Sequence, residues 1–144
     1  MFESLFASKN KKLVLSWSKE HEKIVTLAHK ILAAYSLDNE ASVRKHLIDL
    51  RVVAINHLMV EDIEFHKLLK DETRVTAEIS KSVHEFVDSF HDTKIVLRDF
   101  LRKYVHEDAV YNEHFFTTFN SLVEALASRI EYEETHLYKL LKKK

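Results

Sequence analysis

Across 144 residues the chain contains neither glycine nor proline, and this restricts its fold more than any other feature. Those two residues supply most tight turns, helix stops and hairpins, so a chain without them is expected to run as long helices joined by short loops. The apolar residues agree: they recur at helical spacing almost throughout, and the alternation of half-buried strands is nowhere sustained. With 46% hydrophobic residues, a chain of this length can bury a sizeable core without metal or disulfide staples, and one domain spanning 1–144 is expected.

Helix boundaries must then be read from capping side chains alone. Asp, Asn, Ser or Thr that can cap a following helix cluster in "SLDNE" (36–40), "KDET" (70–73) and "HEDAVYN" (106–112). Four helices follow, over about 10–35, 39–70, 74–105 and 109–142, and short connections make sequential helices antiparallel neighbours. The expected fold is an all-α, up-down-up-down four-helix bundle. The lysines at 142–144 complement the negative end of the last helix.

Several function classes are disfavoured at this stage. The chain has no cysteine, so disulfides, thiolate nucleophiles and Cys-ligated metals are absent, and any metal must be held by nitrogen and oxygen. Lys plus Arg number 22 against 23 Asp plus Glu, a balance with no field to gather phosphate backbones or anionic lipid; neither nucleic acid nor membrane is an expected partner. The start "MFESLFASKNKK" lacks the features of a secretory signal, and a cytoplasmic location is expected. No nucleophile with a paired base and no Gly-rich phosphate loop points to an enzyme.

An internal repeat carries the main information. Val43, Leu47, Leu50, Ala54, His57, Glu61, Phe65 and Leu68 follow one another at steps of three and four, the row that a bundle helix turns inward. Adding 72 to each number gives Phe115, Phe119, Leu122, Leu126, Arg129, Glu133, Leu137 and Leu140. His57, Glu61 and Glu133 thus occupy inward places in apolar rows, where a polar group must find a partner. In the first helix Leu13, Trp17, His21, Ile24, Ala28, Ile31 and Tyr35 make a similar row that His21 interrupts. In the third, the rows Val83, Val87, His91, Ile95 and Phe86, Phe90, Leu97, Leu101 change phase near His91, and His84 lies seven residues earlier on nearly the same face. Which of His84 and His91 turns inward stays open.

Each helix therefore offers an inward imidazole or carboxylate: His21, His57 with Glu61, His91 or His84, and Glu133. Such a set suits iron, manganese or zinc, and carboxylates can bridge two ions in a bundle core. The alternative is a set of core residues satisfied by hydrogen bonds among themselves. His29, His46, His66, His106 and His114 fall off the rows and are read as surface.

The segments "HLMVEDIEFHKLL" and "RIEYEETHLYKLL" resemble the paired H-x-x-x-E-E helix segments of hemerythrin-like, HHE cation-binding domains, and His21 in "SKEHEKIVTLAHKIL" is similar to that family's first-helix His. The resemblance covers nearly the whole chain and implies an antiparallel four-helix bundle around two non-haem iron ions. It also implies binding or sensing of dioxygen or nitric oxide in a bacterial protein. The implied metal ligands are His21, His57, Glu61, a helix-three His (His91, with His84 as the other candidate) and Glu133. The chain departs from the family at Arg129, where a His is called for; a guanidinium stays protonated and cannot ligate a metal. A site of one ion or of reduced ligand count is therefore expected, with His136, three residues after Glu133, as a replacement donor on an adjacent face. The same substitution supports a metal-free reading, in which Arg129 supplies the positive charge between two buried glutamates and Arg129→His restores iron binding. A second resemblance accompanies that reading. "KKLVLSWSKEHEKIVTLAHKI" and "LVEALASRIEYEETHL" are similar to the first and last helices of the regulator-of-sigma-D family, which implies an interaction module whose partner is an RNA polymerase sigma factor.

Overall fold

The computed structural model describes residues 2–70 and 76–139, with side chains from residue 11 onward. Among these residues every regular element is helical: α1 (Phe2–Ser36), α2 (Glu40–Lys70), α3 (Ala77–Ser89), α4 (His91–Tyr104) and α5 (Glu113–Tyr132), the last continuing into one π-helical turn at Glu133–Leu137. The expected cap at 71–73, Leu140 and the terminal lysines lie outside the described residues.

The first connection shows how a chain without glycine stops a helix. Asp38 takes the left-handed conformation, with φ of 54°, that glycine usually occupies after a helix C-terminus. The Asn39 amide then donates to the Ala34 carbonyl at 3.0 Å and the Asp38 amide to that of Tyr35 at 3.0 Å, satisfying carbonyls the helix would leave unpaired. Asn39 Oδ1 in turn accepts from the Ser42 amide and caps α2. Thr76 and Asn112 do the same for α3 and α5, accepting from the Ile79 and Phe115 amides. The Asn112 cap starts the last helix four residues later than the 109 expected from the sequence.

The third expected helix is broken. Phe90, at φ −103° and ψ 1°, separates α3 from α4, so the phase change in its apolar rows is a real interruption of the backbone. The segment before it buries Ile79, Val83 and Phe86, and the one after it buries Leu97, Phe100, Leu101 and Tyr104.

α1 packs against both α2 and the last helix. Trp17 meets Phe65 and His21 meets His57 between α1 and α2, while Trp17 meets Tyr138 and Tyr35 meets Phe115 between α1 and the last helix. The Asp62–Lys94 ion pair and the Arg44 side chain on the His106 carbonyl order α2 against α4 and the loop after it. The apolar interior falls into two clusters. One gathers Ile24 to Ala34 of α1, Val43 to Leu58 of α2, Leu97 to Tyr104 of α4 and Phe115 to Leu122 of α5. The other gathers Val14, Trp17, Phe65, Leu68, Ile79, Val83, Phe86, Leu137 and Tyr138. On α1, α2 and the last helix, the residues between the two clusters are His21, His57, Glu61, Arg129 and Glu133, all buried.

Candidate metal centre

The inward rows read from the sequence deliver these five side chains to one layer. His57 and Glu61 stand a turn apart on α2, as do Arg129 and Glu133 at the end of α5, while His21 comes from α1. One donor atom from each of His21, His57, Glu61 and Glu133 lies within 4.8 Å of the others. His57 Nε2 is 3.0 Å from Glu61 Oε2, and His21 Nε2 is 3.5 Å from Glu133 Oε2.

The carboxylates divide their oxygens. Each Oε1 accepts from Arg129, Nη2 reaching Glu61 at 2.6 Å and Nε reaching Glu133 at 2.9 Å, which leaves each Oε2 turned to the imidazoles. Arg129 is clasped on its other sides by Phe86 and Phe90, whose ring centres lie 4.7 and 5.0 Å from the guanidinium carbon. A desolvated contact of this kind contributes about 2 kcal/mol. These rings occupy the place where a helix-three histidine was expected. His84, before the break at Phe90, and His91, just after it, are both exposed and add no donor to the cluster. His136 is exposed too, its ring against Tyr132, because the π turn carries it to the outside.

The outer side of each imidazole is also held. His21 Nδ1 lies 3.0 Å from Glu134 Oε1, and His57 Nδ1 is hydrogen-bonded to Glu20. These outer contacts turn each Nε2 toward the centre, so that loss of the Nε2 proton would present a lone pair there, the orientation of metal-ligating histidines. Tyr138 completes the layer: its hydroxyl donates to Glu133 Oε2 at 2.6 Å and lies 3.4 Å from both Glu61 Oε2 and His21 Nε2.

The charges follow from this packing. Burial disfavours a proton on either imidazole, yet both hold theirs above the ordinary value of 6.5, because Glu133 lies beside His21 and Glu61 beside His57. Burial would raise Glu133, but hydrogen bonds from His21 and Tyr138 and the charge of Arg129 hold it down to about 2. Glu61 is pushed up, by burial first and then by the Glu133 charge. Burial opposes the Arg129 charge as well, and the two carboxylates more than offset it. Tyr138 stays a phenol, held protonated by burial and by the same carboxylates.

These residues fit a single divalent cation. Nitrogen and carboxylate donors sit about 2.0–2.2 Å from such an ion, so opposite donors are about 4 Å apart, against the 4.8 Å within which these four donor atoms lie. His57 Nε2 is buried and has no hydrogen-bond partner, its nearest carboxylate oxygen being out of line, and an ion would satisfy it. The other oxygen of each carboxylate, which would have to serve a second ion, already accepts from the Arg129 guanidinium.

No family model matches the chain, and no curated protein or solved structure matches it either.

Three participants escaped the sequence reading. Glu20 and Glu134 lie on polar faces, and only their adjacency to His21 and Glu133 marks them. Tyr138 stands five residues after Glu133, which on an α-helix turns it about 140° away; only the π turn brings the two together.

Proposed function

We propose that this chain is a hemerythrin-like, up-down-up-down four-helix bundle, with α3 and α4 together as its third rod, that holds one non-haem iron ion at His21, His57, Glu61 and Glu133. Its function is to bind or sense dioxygen or nitric oxide. The observation that carries this reading is the pair of oriented imidazoles: each Nε2 is aimed at a common point beside two carboxylate oxygens, and each Nδ1 is tied to an outer carboxylate. A mixed nitrogen and oxygen set suits iron, and four protein donors leave a coordination position for a small ligand. The chain's own residues restrict that ligand. All four donors are buried, which favours a small ligand over a bulky one, and Arg129 holds both carboxylates in place and favours the ionised form of Glu133.

The second reading is a metal-free interaction module, such as a regulator that binds a sigma factor. It is favoured by one observation: Arg129 already bonds both carboxylates and neutralises one of their charges.

Purification without chelator, anaerobic reconstitution with ferrous iron and metal analysis separate the two. The metal reading expects close to one ion per chain and a higher Tm, since a ligand bound only by the folded state stabilises it. Glu20→Gln with Glu134→Gln should weaken that affinity about 10- to 100-fold. Sub-stoichiometric iron with unchanged Tm would leave the interaction module standing.

A further inference from the structure

We infer that Tyr138 is a fifth donor of the metal centre, presenting a phenolate oxygen to the same ion as His21, His57, Glu61 and Glu133. The inference rests on the metal-binding reading above and goes beyond it, since neither an apolar row nor a histidine–glutamate pattern marks this residue.

Its first support is spacing. Donors around one ion at about 2.0–2.2 Å stand about 3.0–3.5 Å from their neighbours in octahedral or tetrahedral arrangements. Tyr138 Oη lies 3.4 Å from His21 Nε2, 3.4 Å from Glu61 Oε2 and 2.6 Å from Glu133 Oε2, and His57 Nε2 to Glu61 Oε2 is 3.0 Å. The hydroxyl is therefore at donor spacing from two of the four ligand atoms, is hydrogen-bonded to a third, and approaches the Oε2 atoms that Arg129 leaves free.

The second support is the backbone. The last helix changes from α to π at Glu133–Leu137, where the Tyr138 amide donates to the Glu133 carbonyl. A π turn is less favourable than the α-helix it interrupts and is frequently found at functional sites. Here its effect is specific: it turns Tyr138 into the layer beside Glu133 while His136 goes outside. Trp17 and the His21 ring pack against the tyrosine ring and fix its direction.

On coordination of ferric iron the phenolic O–H bond breaks, an Fe–O bond forms and the proton leaves to solvent, with no change in oxidation state. The test is to load the purified full chain with one equivalent of ferric iron supplied as a citrate chelate. The expected result is a broad visible charge-transfer absorption with phenolate ring modes in the resonance Raman spectrum. Tyr138→Phe should abolish both while iron is retained, and Tyr132→Phe should keep both. Iron bound at one per chain without the band, or a band that persists in Tyr138→Phe, would overturn the tyrosine ligand and leave the four-donor site intact. A wild-type protein that takes up no iron would overturn both.

Discussion

Arg129 is the residue on which the charge balance of the interior turns. It separates two carboxylates that would otherwise face each other out of water, and two aromatic faces hold it in position. Arg129→Met keeps an apolar stem against Phe86 and Phe90 but removes the charge. Breaking a buried ion pair by deleting one partner costs about 3–5 kcal/mol, and a loss of that size is expected in urea unfolding of the metal-free protein. Iron should recover part of it, since the ion brings its own positive charge to the same carboxylates. The neighbouring residues also show what the sequence could convey. His21, His57, Glu61 and Glu133 were legible because each interrupts an apolar row, and a polar side chain on such a row has nowhere else to point. His84 and His91 were misplaced because their rows were followed through Phe90 as though the helix were continuous. Tyr138 was hidden by a change of helical pitch, which leaves no mark in the spacing of residues.

At the scale of elements, the absence of glycine has a measurable cost at the α1–α2 turn. Asp38 adopts a left-handed backbone that disfavours side chains with a Cβ, and its carboxylate lies beside the negative end of α1. Asp38→Gly should relieve both and stabilise the protein by about 0.5–1 kcal/mol, a rise in Tm of roughly 2–3 °C in a scanning experiment. The boundary at Asn39 was readable because a capping side chain announces it, whereas in 106–112 several residues can cap, and the expected start at 109 fell four residues before the one that the Asn112 cap sets. The break at Phe90 was not readable: it has no side-chain cap hydrogen bond and no glycine or proline to signal it. Its cause is tertiary, in that the chain divides its burial between the two apolar clusters on either side of the break, and only coordinates reveal such a division.

For the molecule as a whole, a polar layer set between two apolar clusters ties stability to pH. Both imidazoles bind a proton more strongly in the folded protein than the ordinary value of 6.5 implies. Their contribution to stability is therefore fully present below pH 6.5 and is lost as pH rises through their folded values. Metal binding has the opposite dependence, because the ion competes with those protons and gains affinity as they leave. Thermal scans from pH 6 upward should show Tm falling without iron and the iron-induced increment growing. Curves that stay parallel would remove the imidazoles from the site. No described helix is long and apolar enough to cross a membrane, and His21, His57, Glu61 and Glu133 are all buried. Glu20 and Glu134, whose side chains are 27% and 42% exposed, link the buried imidazoles to the surface. Each carboxylate touches water on one side and an imidazole on the other. The buried layer thus keeps two hydrogen-bonded links to the surface, one entering from α1 and one from the π turn.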